Sequence, residues 1–145
     1  MNAWDRIERW SLRLAGTLVL AIGIGHAFLP TLGYPIAATD GMSPEAKDHF
    51  YYLGTYAIGT FLLGFAVLSF IYSTRPSPVF STTMAAVWTM RLALEYAYPA
   101  DVPIFLLQRP HTLIAPMLAI IAAAYTTATL AGLARHRTPA AINGA

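Results

Sequence analysis

The chain has 145 residues, 57% of them hydrophobic and 11% charged, against roughly 25% charged residues in an ordinary water-soluble domain. With a mean hydropathy of +0.54 this is the composition of a membrane protein, so the net charge of +2 bears on topology and does not mark a basic face for nucleic acid. The absence of cysteine excludes disulfides, thiolate metal sites, iron–sulfur clusters and cysteine nucleophiles.

Arg6, Arg9 and Arg13, with Trp4 and Trp10, precede an uncharged run from Leu14 to Leu29. A basic flank before an apolar run is also how a signal peptide begins. Here, however, Trp10 to Leu29 gives about 20 residues, enough to cross ~30 Å of hydrocarbon, and no convincing small-x-small cleavage site precedes Pro30. The segment reads as a retained first span with His26 in its last turn. Gly33, Pro35 and Gly41 then break the chain into a loop, whose Leu32, Tyr34 and Ile36 favour the membrane surface.

Ser43-Pro44-Glu45 has the form of a helix start: a capping hydroxyl, proline at the first helical position and an acid at the positive end of the dipole. The second span enters at Phe50 and stays uncharged through Tyr72. Ser73 to Pro78 cannot continue a helix, and a connection this short predicts antiparallel neighbours. The third helix is expected from about Val79 to Tyr98 and stops before Pro99. Ile104 to Leu107 is too short to span and reads as an interfacial or re-entrant lid. Arg109-Pro110 opens a fourth span, uncharged from Thr112 to Ala134, with Pro116 in its first two turns as a kink and not a break.

The expected fold is therefore an all-α integral membrane protein, a single-domain four-helix bundle with spans near 10–29, 50–72, 79–98 and 111–134. Arg6, Arg9, Arg13, Arg75, Arg135 and Arg137 lie on one side, against Lys47 and Arg109 on the other, so both termini are expected to be cytoplasmic. The implied location is a cell membrane of the bacterial inner-membrane kind. Gly16 and Gly23 on the first span, Gly59 on the second, and Ala115, Ala119, Ala122 and Ala123 on the fourth offer the close backbone approach that holds helices together in lipid. The four-span plan resembles that of small bacterial membrane proteins such as the DoxX-like proteins, in architecture alone.

The third helix carries the main anomaly, because Arg91 and Glu95 stand one turn apart in an otherwise apolar segment. A charge near the centre of a membrane helix costs roughly 2.5–3.5 kcal/mol, which makes such a pair a candidate functional site. Met84, Trp88, Arg91, Glu95 and Tyr98 fall on one stripe by alternating four-and-three spacing. At ~1.5 Å per residue, Glu95 lies about 5 Å and Arg91 about 10 Å below the outer boundary, with His26 and Tyr56 at similar depth and Asp48, His49, Asp101, Gln108, Arg109 and His111 above them. The inner half reads as almost wholly apolar, which disfavours a transport path.

These residues predict a polar vestibule open to the extracytoplasmic side. Glu95, Arg91 and His26 are the candidates for acid–base work, with Tyr56, His111, Trp88, Tyr98 and Tyr52 lining a site for a lipid, isoprenoid or quinone. Several plainer readings compete. Arg91 and Glu95 would merely neutralise each other, and the interfacial tyrosines form an aromatic belt. The chain would then be a non-catalytic subunit whose small-residue faces meet partner helices or a second copy. His26, His49 and His111 with Glu95 as a metal set, or haem between His26 and His111, would make a redox subunit, but no H-x-x-x-H or E-x-x-H spacing supports it. No particular cofactor follows from the sequence.

Overall fold

The computed structural model describes residues 2–28, 43–99 and 109–137, without the side chains of Phe50, His136 and Arg137. Four helices form in this order: α1 (Ala3–Phe28), α2 (Pro44–Thr74), α3 (Pro78–Ala97) and α4 (His111–Arg137). The first loop, the Ile104 to Leu107 lid, Asp101 and Gln108 lie outside the described residues.

Local chemistry sets the helix starts. α1 begins well before its apolar run because Asn2 and Asp5 cap it reciprocally: Asp5 N–H donates to Asn2 Oδ1 at 2.7 Å and Asn2 N–H to Asp5 Oδ2 at 3.3 Å. Ser43 Oγ accepts from Ala46 N–H at 3.2 Å, with Pro44 at the first position, as expected. The same device recurs at α3, where Ser77 Oγ accepts from Phe80 N–H at 3.4 Å ahead of Pro78. α4 runs unbroken through Pro116.

Three helices, α1, α2 and α4, are long and apolar enough to cross a membrane. α3, with Arg91, Glu95 and four Ser and Thr residues in 20, falls short of that apolarity. At 31 residues, α2 is ~46 Å long and exceeds the ~30 Å of a hydrocarbon core by about three turns.

The packing order is α2 on α1, α1 on α4, and α4 on α3. The short turn after α2 does not make α2 and α3 close neighbours along their lengths. They meet mainly near the turn, where Tyr72 stacks on Phe80 at 4.4 Å between ring centroids. The reason lies in which faces carry small residues. Thr55, Gly59, Leu62, Ala66, Ser69 and Ser73 form the buried seam of α2 at alternating four-and-three spacing, and this seam faces α1. A β-carbon added to Gly16 would lie 3.0 Å from Ser69 Cβ, and one added to Gly23 would lie 3.2 Å from Leu62 Cβ, so these glycines set the approach of the two helices.

α1 turns a second seam, Glu8, Leu12, Ala15 and Val19, toward Ile121, Tyr125, Ala128 and Gly132 of α4. Of the four α4 alanines expected to supply packing surface, Ala115 and Ala122 are buried and Ala119 half-buried, while Ala123 faces outward.

The end of the bundle where α1 begins and α4 finishes is not apolar, contrary to the sequence-based expectation. Glu8 is fully buried, and Ser69, Ser73 and Ser81 are buried with it. Arg135 Nη1 on α4 bridges Asp5 Oδ1 at 3.2 Å and Glu8 Oε2 at 3.3 Å. Higher up, Tyr125 and Ser69 share a 2.5 Å hydrogen bond across α4 and α2. The Arg13 Nε–H donates to Ser73 Oγ at 3.5 Å. Arg135, Arg13 and Tyr125 thus reach across to neighbouring helices, while Ser81 Oγ donates to the Ser77 and Pro78 carbonyls at the start of its own helix.

Candidate functional site

At the opposite end, α3 and α4 bring three ionisable side chains together. Glu95 is 1% exposed and is the focus of the group. Arg91 Nη2 donates to its Oε2 at 2.8 Å from one turn earlier on α3, and His111 Nδ1, at the start of α4, lies 3.1 Å from its Oε1. The two contacts differ in setting, because the Arg91 side chain is 45% exposed and that of His111 30%. The carboxylate is thus sealed between α3 and α4, while the groups that hold it reach the surface. Tyr96 stands edge-on to the His111 ring at 5.6 Å.

The α3 face that positions Glu95 is the predicted stripe in part. Ser81, Met84, Trp88 and Glu95 are buried on it. Arg91 lies on its margin, and Tyr98 leaves it because α3 ends at Ala97 and the Tyr98 backbone turns to φ −137° and ψ 72°. Tyr98 is accordingly 78% exposed. Trp88 is buried two turns from Glu95, and its Nε1–H has no hydrogen-bond partner among the described residues.

The other expected members stand apart from this trio. His26 is half-buried on α1, with Nδ1 placed 3.0 Å from the Ile22 carbonyl of its own helix. Its Cβ lies against Gly59 of α2. Tyr56 falls one position off the Thr55–Gly59–Leu62 seam and is therefore turned outward, where it stacks on Tyr52 at 6.2 Å. His49 is exposed on the first turns of α2. Among the described residues no three His, Asp or Glu side chains group as a metal site, so His26, His49, His111 and Glu95 are not brought together as a ligand set.

Chemically, a carboxylate that accepts from the Nδ1 side of an imidazole fixes the ring and its tautomer, leaving Nε2 as the position that accepts or delivers a proton. Arg91 balances the carboxylate charge in the same contact. The sequence named Arg91, Glu95 and His111 but gave no sign that His111 is the immediate partner, since 16 residues separate it from Glu95. Glu8 was not anticipated. Its signal was present in the four-and-three spacing of Glu8, Leu12, Ala15 and Val19, which continues the apolar seam of α1 onto a charged residue.

Compared with known protein families, curated proteins and solved structures, the chain finds no match. Its function therefore has to follow from the site's own chemistry.

Proposed function

We propose that the four helices span a membrane with both termini cytoplasmic, and that the Arg91–Glu95–His111 trio is a ligand site in the extracytoplasmic half of the bundle. The ligand is a lipophilic small molecule reached from the outer leaflet. The observation that carries this reading is the Glu95 carboxylate, 1% exposed, with its two oxygens engaged by Arg91 and His111. In this reading Glu95 orients His111 and does not itself meet the ligand. His111 is the proton donor or acceptor, and Arg91 steadies charge on the ligand's oxygen. α3 lacks the long apolar stretch that α1, α2 and α4 carry, and its polar composition follows from carrying this site; it crosses the bilayer alongside α4, against which it packs.

Native mass spectrometry of gently solubilised protein tests the proposal. The native chain should retain a small lipophilic molecule, and Glu95→Gln should lose it while remaining folded. Retention by a folded Glu95→Gln variant would defeat the site.

A second reading is favoured by a different observation. α3 packs on α4 and turns outward a stripe of small residues, Thr82, Ala86, Thr89 and Ala93, beside the larger Val87, Met90 and Leu94. Small residues suit a partner helix and large ones suit lipid. On this reading the chain is a subunit of a larger membrane complex, or pairs with its own copy, and the same mass spectra would show stoichiometric protein chains in place of a lipid.

A further inference from the structure

The nine basic and seven acidic residues of the chain are shared unequally between the two ends of the bundle. Where α1 begins and α4 finishes, the sequence sets Arg6, Arg9, Arg13, Arg75, Arg135 and Arg137 against two acids, Asp5 and Glu8. Asp5 and Glu8 both pair with Arg135, and among the described residues no ion pair reaches Arg6, Arg9, Arg13 or Arg75. These four arginines need a counter-charge from elsewhere.

Their placement says where it comes from. Arg6, Arg9 and Arg13 follow three-and-four spacing on one face of α1, and the Arg13 Nε–H, donating to Ser73 Oγ at 3.5 Å, fixes that face beside the end of α2. Arg75 caps α2 two residues beyond Ser73, with its side chain exposed. Arg9 is half-buried, and its Nε has no hydrogen-bond partner among the described residues. At ~1.5 Å per residue, Arg9 lies ~6 Å and Arg6 ~10 Å outside Arg13, which adjoins the uncharged run of α1. On the reading that α1 spans a membrane, the stripe therefore crosses the headgroup layer, about 5–8 Å deep. Trp4 and Trp10, both exposed, flank it in the manner of interfacial anchors, and the Arg13 guanidinium lies 5.3 Å from the centre of the Trp10 ring.

Orienting a span requires only the number of basic residues and not their alignment on one face. Aligned guanidinium groups at headgroup depth suit phosphate, whose oxygens each can engage through parallel N–H bonds. A zwitterionic headgroup carries a cation of its own to this surface, and a net anionic one does not. We infer that the adjoining ends of α1 and α2 bind the headgroup of an anionic phospholipid, its phosphate paired with the Arg6, Arg9 and Arg13 stripe beside Arg75. The inference rests on the spanning of α1 and is independent of the ligand site at Glu95.

The test places the native protein in phosphatidylcholine vesicles and compares quenching of tryptophan fluorescence by phosphatidylcholine and phosphatidylglycerol brominated on their acyl chains. Phosphatidylglycerol should be favoured by about fivefold or more, the effect of roughly one basic residue at an anionic surface. Arg9→Gln with Arg75→Gln should lose most of this preference, and the pair spares Arg13 and its bond to Ser73. Lys47→Gln with Arg109→Gln removes the same charge at the other end and should keep it. Equal affinities of the native protein for the two lipids, or equal losses in the two double variants, would overturn the inference. Loss of the preference in inorganic phosphate at unchanged ionic strength would also overturn it, by assigning these arginines to a free anion. Quenching by neither lipid would bring down the spanning of α1 itself, and the inference with it.

Discussion

At Gly132 a single methyl group would meet a buried charge. A β-carbon there would lie 2.8 Å from Glu8 Oε1, and the carboxylate has little freedom to withdraw because it is fully buried and held by Arg135. Gly132→Ala should therefore destabilise the fold by about 1–3 kcal/mol, as overpacking does in a filled core, read from unfolding in detergent. Glu8→Ala should also destabilise, by about 1–3 kcal/mol, because it removes one of the two carboxylates paired with Arg135, which keeps Asp5. Glu95 differs in how its partners are arranged: two groups, Arg91 and His111, each hold one of its oxygens, whereas Arg135 is shared between Glu8 and Asp5. The charged residues of α3 were legible because they interrupt an apolar run. Glu8 was masked by its position in a basic, polar flank, where a charge calls for no explanation until the seam that includes it is seen.

Helix pairing rests on close approach at a few positions, so equal substitutions should have opposite effects along the same elements. Gly16→Ala would place Cβ 3.0 Å from Ser69 Cβ and 3.4 Å from the Ala66 carbonyl oxygen, forcing α1 and α2 apart. At Gly64 a β-carbon would meet no atom within 4 Å, and Gly64→Ala should instead stabilise α2 by up to about 1 kcal/mol through helix propensity. Comparing the two melting temperatures in one detergent checks both signs; a stabilising Gly16→Ala would refute the α1–α2 seam. Helix existence and order were legible from apolar run length and from proline and capping residues. The pairing was not, because a short connection says only that two helix ends are near. Which faces then pack is decided by where glycine, alanine and serine line up, and on α2 that face meets α1.

For the molecule as a whole, the two ends of the bundle are held differently. The terminal end ties α1 to α4 through Asp5, Glu8 and Arg135, and α1 to α2 through Arg13 and Ser73. The far end ties α3 to α4 through Glu95 and His111. Asp5, before the span expected near 10–29, has its carboxyl held below the usual range, chiefly by its hydrogen bond with Arg135. A lowered folded value means that the contribution is present above the ordinary carboxylate range and is lost as pH falls through the folded value. The melting temperature of the native protein should therefore exceed that of Asp5→Asn near neutral pH, and the gap should close as pH falls below the ordinary carboxylate range. Topology has its own test, since the chain contains no cysteine. In Arg75→Cys, a membrane-impermeant maleimide should label the residue only after the cells are opened; labelling of intact cells would reverse the assigned orientation.

By itself the sequence determined that the chain is helical and strongly apolar, where α2, α3 and α4 begin, and that Arg91 and Glu95 are out of place in their segment. Those properties depend on run length, on the capping chemistry of Ser43 and the prolines, and on charge, all of which act over a few neighbouring residues. Only the tertiary structure decided that His111 joins Glu95 while His26 and Tyr56 stand elsewhere, and that Glu8 is buried at the other end. The physical reason is angular. One residue along a helix turns a side chain by about 100°, so whether it meets a neighbour or faces outward depends on the rotation of each helix against its partners.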